Sequence, residues 1–255
     1  MLVAALAALA AVLAVVVAAL IFRKVGRATD DGEPDGPTAG HAGAMLSALF
    51  LLVFAIAIVV PWTTADAARV NTGSESHAIA EAYWAAGGLP SPAAGQIQGE
   101  LREYVRFVAE REWPMMRRGH LSSEGWTRLD SIRARVDGLK VEGDDAKDAQ
   151  ADVLEKLGDA SAARRQRGLD ASASPPSGLL ELTAVTGALV VLFPFMAGAR
   201  PRRLAILPMI ATAALVGLGV FVTYDIARVF DGPLAVQPEA FTAVMQEFQR
   251  IPAGG

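Results

Sequence analysis

Residues 44–62 read AMLSALFLLVFAIAIVVPW, an uncharged apolar run that ends in Pro61 and Trp62. A hydrocarbon core about 30 Å thick needs roughly 20 apolar residues at about 1.5 Å rise per residue, so this run can cross a membrane as a helix. Tryptophan is common at the membrane–water interface, which places the end of the span near Trp62. Similar runs occupy residues 2–22, 179–198 and 204–224. The chain is therefore predicted to be a multi-pass membrane protein.

The four runs form two pairs, and a long polar stretch separates the pairs. No segment of any length alternates with the period of a β-strand. We therefore predict an all-α membrane protein with four transmembrane helices in two hairpins and a helical polar module between the second and third. The predicted parts are a hairpin at 1–62, the module at 63–177, a second hairpin at 178–224 and a tail at 225–255.

Composition excludes several classes of function. The net charge of −4 over 255 residues does not suggest a nucleic-acid partner, and the absence of cysteine rules out disulfides and thiolate chemistry. His41, His77 and His120 lie on separate segments without zinc-ligand spacing. No GxGxxG, phosphate-binding GxxxxGK[ST] or GxSxG motif occurs. We predict neither an enzyme nor a bound cofactor or metal.

The polar module is predicted to contain four helices. The second span continues through residues 64–86 and stops at Gly87-Gly88. A second helix follows Ser91-Pro92 and is kinked or ended at Trp113-Pro114, because proline lacks an N–H donor. The apolar faces expected to be buried are Ile97, Leu101, Tyr104 and Val108 on this helix, then Trp126, Leu129, Ile132 and Val136 on the third, then Val153, Leu154 and Leu157 on the fourth, residues 144–169.

The tail is predicted to end in a short amphipathic helix. Its apolar positions are Phe241, Val244, Met245 and Phe248, which share one helical face. Such a helix either packs against the module or lies on a membrane surface. Packing against the module is the simpler expectation.

Four residues of the second span recur every fourth position: Leu46, Phe50, Phe54 and Ile58. This spacing forms a slowly drifting stripe on one helix. The stripe serves either helix packing and lipid contact, or a hydrophobic pore constriction that gates by dewetting. These four residues are the candidate pore lining, and ions are the candidate permeant species.

The charged candidates lie in the module. Glu112 stands beside Trp113 near a helix end, and a carboxylate there can pair with one of the basic residues Arg164, Arg165 and Arg167. Glu75 follows the second span on the same helix and is a candidate for a structural ion pair or a charge in a pore vestibule. An ion-binding or gating role is the alternative for Glu112.

The positive-inside rule suggests an orientation. The short connections carry Arg23, Lys24 and Arg27, then Arg200, Arg202 and Arg203. Cytoplasmic loops of membrane proteins are enriched in such residues, so the module is expected outside the cytoplasm.

The module resembles the bestrophin-like bacterial membrane proteins. The matching stretches are Glu75-Ser76-His77-Ala78-Ile79 with Tyr83, Leu101-Arg102-Glu103-Tyr104-Val105, Glu112-Trp113-Pro114, Arg164–Leu169 before Pro175-Pro176, and residues 225–232 with 236–241. One departure is Val229, which stands where the family usually has a proline before Phe230. The rigid turn that a proline would give at that point is therefore not expected here.

The resemblance implies a function and a location. Bestrophins proper are pentameric anion channels with an apolar neck on the second span, which matches the spacing of Leu46, Phe50 and Phe54. They hold both termini in the cytoplasm, which would place the module there, against the charge-based orientation. The first hypothesis is a homo-oligomeric ion channel in the bacterial plasma membrane. The alternative is a non-conducting membrane protein whose module binds a partner or supports an assembly.

Overall fold

A computed structural model describes residues 13, 17, 20, 21, 37–173, 178–197 and 206–250. None of these residues is in a β-strand, so the all-α prediction is confirmed for them. The helices with continuous bounds are α1 (Pro37–Ala86), α2 (Ala93–Phe107), α3 (Trp113–Met116), α4 (Ser123–Asp137), α5 (Asp144–Ser172), α6 (Leu179–Met196), α7 (Leu207–Ile226) and α8 (Glu239–Arg250), and a π-helical turn, Val108–Glu112, joins α2 to α3.

Three of the described helices are long and apolar enough to cross a membrane: Gly40–Ala86 within α1, then α6 and α7. These correspond to the second, third and fourth predicted spans. The first predicted span, residues 2–22, falls outside the described residues except at four positions. The four-helix count and the hairpin arrangement therefore stay predictions.

The described residues divide into two compact units. The membrane unit is drawn from Met1–Thr63 and Ser174–Ala227, and the module unit from Thr64–Ala173 and Arg228–Gly255. Helix α1 supplies residues to both, because the second span continues without a break into the module, as the sequence predicts. Pro61 lies inside this helix.

The module unit has one hydrophobic core. Helices α2, α4, α5 and α8 and the last turns of α1 contribute fully buried side chains, among them Ile79, Leu101, Leu129, Leu157 and Phe241. Ser122 caps α4 by accepting a hydrogen bond from the backbone N–H of Glu124. Trp126, expected to be buried, is only half-buried.

The tail helix α8 is part of that core. Phe241, Val244 and Phe248 are buried, and the ring of Phe248 stacks on Tyr83 with centroids 4.0 Å apart. The indole Nε1 of Trp84 donates a hydrogen bond to Glu247 at 3.0 Å. The amphipathic helix of the tail therefore packs against the module.

The predicted break at Trp113-Pro114 takes the form of a π-helical turn. The backbone N–H of Trp113 reaches back five residues to the carbonyl of Val108. A π-turn inserts one extra residue into a helix and changes which side chains face inward. Val108 and Glu112 are both buried here. They are four residues apart, so a regular α-helix would also place them on one face.

Candidate functional site

The candidate site is a cluster of four buried charged side chains in the module unit. Glu75 comes from α1, Glu112 from the π-helical turn, and Arg164 and Arg167 from α5. All four side chains have no solvent exposure. Fully buried charges of these types are rare unless they are paired.

The two carboxylates and two guanidiniums form a closed network. Arg167 donates to Glu75 from both Nε and Nη2, at 2.7 and 2.9 Å. Arg164 donates to both oxygens of Glu112, with Nη1 2.8 Å from Oε2. Arg167 Nη2 also reaches Glu112 Oε2 at 3.0 Å and so links the two bidentate pairs. The network has two charges of each sign and is neutral overall.

Neighbouring polar groups make most of the hydrogen bonds that the four charged side chains do not make with one another. The Tyr104 hydroxyl donates to Glu75 Oε1 at 2.7 Å and accepts from Arg164 Nη1 at 3.1 Å. The backbone N–H of Ser122 donates to Glu112 Oε1 at 3.0 Å, and the Ser122 carbonyl accepts from Arg164 Nη2. Among the described residues, Nε of Arg164 is the network atom without a hydrogen-bond partner.

Aromatic rings enclose the guanidiniums. The Arg164 carbon Cζ lies 4.9 Å from the centroid of the half-buried Trp126 ring. The Arg167 Cζ lies 5.4 Å from Phe241 and 5.9 Å from Trp113. Arginine stacks well on aromatic faces, so these rings replace water around the buried cations. The tail helix thus contributes to the site through Phe241.

The network fixes the protonation of its members. Burial alone would raise the pKa of Glu112, but the hydrogen bond from Arg164 and the charge of Arg167 outweigh it, and the pKa lies below its usual value. Burial, together with the charge of Glu75, raises the pKa of Tyr104 well above its usual value. Burial alone would lower the pKa of Arg167, but the charge of Glu75 and its hydrogen bond outweigh burial, and the pKa lies above its usual value. Glu112 is therefore held as a carboxylate, and Tyr104 and Arg167 stay protonated, at neutral pH.

The structure separates the basic candidates. Arg164 and Arg167 enter the network, whereas Arg165 is exposed. The sequence carries a signal for this difference, since Arg164 and Arg167 continue the buried spacing of Val153, Leu157 and Ala160 along α5. The apolar period of α2 predicts Tyr104 only as a core aromatic.

Gly125 is a further member of the site that sequence reasoning missed. A Cβ atom added there would lie 2.1 Å from Arg164 Nη2 and 2.7 Å from Glu112 Oε1. The backbone of α4 can come this close to the ion pairs only because residue 125 has no side chain. In the sequence Gly125 appears as an ordinary helix residue in the first turn after Ser122.

The aromatic residues of the apolar stripe pack within the membrane unit. Phe50 is 7% exposed, and a Cβ added at Gly187 on α6 would lie 3.1 Å from its ring carbon Cε2 and 2.8 Å from Cγ1 of Val216 on α7. The Phe54 ring lies against Gly219, where an added Cβ would be 2.7 Å from Cε2 and Cζ. The two rings stack with centroids 5.5 Å apart. Leu46 and Ile58 are half-buried.

The network suits a structural role better than a chemical one. Every carboxylate oxygen of the network accepts at least one hydrogen bond from within the protein. Among the described residues, no group of three or more histidine, aspartate or glutamate side chains could hold a metal ion. The network therefore ties α1 to α5 and to the π-helical turn.

Comparison with known families identifies the chain. The family described as the bestrophin-like domain matches residues 8–241. Comparison with the curated proteins and with the solved structures returns no match. The family covers most of the chain, including every residue of the buried network. The chain therefore belongs to the bestrophin-like family, and its apolar helices fit a membrane protein of the bestrophin type.

Proposed function

We propose that this protein is a homo-oligomeric ion channel of the bacterial plasma membrane, with an apolar neck on α1. The observation that carries the proposal is the continuity of α1, in which one helix contains both a membrane span and Glu75, a member of the buried network. A rigidly anchored helix can hold an apolar constriction in place. Membership of the bestrophin-like family supports the same function.

The distribution of charge in the spans favours a passive channel over a proton-coupled transporter. In the described parts of the spans, Glu181 lies in the first turn of α6 and Asp225 near the end of α7. Ionisable groups near the middle of a span are the usual signature of proton relays. An apolar neck that gates by dewetting needs no such group.

A second candidate function has its own support. The rings of Phe50 and Phe54 pack against each other and against other residues of the same chain. Such packing is expected of a membrane protein that does not conduct ions. In that case the module would bind a partner or support an assembly, and the stripe would serve only to pack the spans.

The deciding experiment is ion flux into liposomes that contain the purified, folded protein. Chloride and potassium gradients are tested separately, because the resemblance implies anions. Flux that saturates with protein content and depends on the folded oligomer supports the channel. A well-folded oligomer that passes neither ion would overturn the channel and leave the assembly function.

The orientation is open to a direct test. From the basic connections we infer that the module lies outside the cytoplasm, whereas the resemblance implies the opposite side. The chain has no cysteine, so Glu142→Cys, at an exposed position of the module, gives a single thiol. A membrane-impermeant maleimide should label it in intact cells. Labelling only after the cells are opened would place the module in the cytoplasm.

A further inference from the structure

The membrane unit contains an open groove between α6 and α7, with a volume of about 580 Å³. Small residues on both helices give the groove its width, among them Ala184 and Ala188 on α6 and Ala213 and Gly217 on α7. Among the described residues, all those that line the groove belong to these two helices. Its volume falls in the range of about 300 to 1,000 Å³ that is usual for cavities that bind small molecules. The groove therefore has room for a ligand.

The two helices run antiparallel along the groove. A Cβ added at Gly187 would lie 2.8 Å from Val216, and further along α6 the buried Phe195 shares a small cluster with Ala213, which comes earlier in α7. The beginning of α6 therefore lies beside the end of α7.

One end of the groove is polar. Glu181 lies in the first turn of α6 and Tyr224 in the last turn of α7, and both line the groove. These positions are near the ends of two apolar helices that are long enough to cross a membrane, where a side chain can reach the headgroup layer. The groove thus runs inward from the membrane surface.

The groove ends at the depth of one leaflet. Leu192, the last lining residue on α6, follows Glu181 by eleven residues, or about 16 Å along a helix. The hydrocarbon core of a bilayer is about 30 Å thick, so one leaflet accounts for about 15 Å. Beyond this depth Phe195 is buried with Ala213 between the helices. The groove is therefore about half as long as the hydrocarbon core is thick.

This length distinguishes between the possible occupants. A further transmembrane helix, either residues 2–22 or a helix of a second copy, would cross both leaflets. A groove that fits such a helix would continue along the whole of α6 and α7. A membrane lipid extends through its own leaflet only, with its headgroup at the surface and its chain ends near the bilayer centre. A lipid is therefore the occupant that the length fits.

The charge of Glu181 indicates the kind of headgroup. Glu181 is exposed, and among the described residues its carboxylate has no ion-pair or hydrogen-bond partner. A carboxylate accepts charge-assisted hydrogen bonds from an ammonium group. A quaternary ammonium has no N–H to donate and is typically held by a cage of aromatic rings. An anionic headgroup would be repelled, so a primary amine is the best match.

We propose that the groove between α6 and α7 binds one phospholipid with a primary-amine headgroup, a phosphatidylethanolamine. An acyl chain lies along Ala184, Ala188 and Gly217, and the ammonium group donates hydrogen bonds to Glu181. This site is independent of the proposed channel, because a lipid can occupy it whether or not the protein conducts ions.

Native mass spectrometry of the full chain in detergent tests the headgroup. The protein is titrated separately with dioleoyl phosphatidylethanolamine, phosphatidylcholine and phosphatidylglycerol. We expect one retained lipid per chain, with phosphatidylethanolamine bound about tenfold more tightly than the other two, which is the size of effect that a hydrogen bond to a charged group gives. Glu181→Gln should abolish the preference. The control Glu142→Gln, the same loss of charge at an exposed position of the module, should keep it. Equal binding of the three lipids, or an unchanged preference in Glu181→Gln, would overturn the proposal.

A second pair of variants tests the groove itself. Ala188→Phe fills the groove from an exposed position, whereas Ala211→Phe adds the same ring at an exposed position of α7 that does not line it. The first should weaken lipid retention about tenfold and the second should leave it unchanged. Equal retention by the two variants would exclude the groove as the site. The chain has no cysteine, so bismaleimide treatment reports other occupants directly. Covalent dimers of Ala188→Cys, or an internal cross-link between Ala188→Cys and Leu13→Cys, would place a protein helix in the groove and overturn the lipid.

Discussion

Gly125 and Arg164 meet so closely that a single methyl group at position 125 would lie 2.1 Å from Nη2 of the guanidinium. The guanidinium has no room to withdraw, because Glu112, Tyr104 and the Ser122 carbonyl all hold it by hydrogen bonds. The glycine in α4 is thus a condition for assembling the buried network. A single small substitution at position 125 can therefore test what the network contributes to stability.

The first prediction is that Gly125→Ala destabilises the protein by about 2–4 kcal/mol, because it combines overpacking with displacement of a buried ion pair. The measurement is denaturant unfolding in detergent, followed by tryptophan fluorescence. Gly99→Ala on α2 is the control, since an added Cβ there meets nothing within 4 Å. Replacing a helical glycine by alanine without a clash should stabilise by about 0.5–1 kcal/mol. Equal effects of the two substitutions would contradict the steric account.

The second prediction concerns the charges themselves. Arg167→Met or Glu75→Leu alone should each cost about 3–5 kcal/mol, because each leaves a partner charge buried without its counterion. The double variant should recover a large part of that loss, since the two side chains removed are each other's bidentate partners. A double-mutant cycle on the free energy of unfolding measures the coupling.

The exposed pair of Arg128 and Glu124 provides the control for that cycle. Its side chains are 35% and 49% exposed. Glu124→Gln should change stability by less than about 1 kcal/mol. If the single network variants cost no more than Glu124→Gln, the network does not hold the module together.

The third prediction is a dependence on pH. The pKa of Glu112 is lower in the folded protein than its ordinary value of about 4.3 in an unfolded chain. Its stabilising contribution is therefore complete above that ordinary value and is lost as pH falls through the lower, folded pKa. The unfolding temperature should fall as pH is lowered below about 5. The fall should be shallower in Glu112→Gln, and parallel curves for the two proteins would exclude Glu112 as a source of the acid sensitivity.

The sequence predicts the helices of the module better than it predicts the site. The faces of α2 and α5 and the continuation of the second span follow from local periodicity, which acts over a few residues. The pairing of Glu75 with Arg167 joins residues far apart in the chain, and choosing between Arg165 and Arg167 needs the buried phase of α5. Gly125 shows the same limit, because its need for a missing side chain depends on where Arg164 lies in three dimensions.

The fourth prediction distinguishes packing from pore lining on the second span. If the Phe54 ring serves to pack the membrane unit, Gly219→Ala should lower the unfolding temperature in detergent, since its Cβ would meet that ring at 2.7 Å. Phe54→Ala should also destabilise, but the double variant should be less affected than the sum, because removing the ring removes the clash. Leu215→Ala, at a 69% exposed position of the same helix, should have little effect on stability. A Phe54→Ala protein with unchanged stability and increased ion flux would instead return Phe54 to the lining of a pore, because a neck residue constrains conduction without supporting the fold.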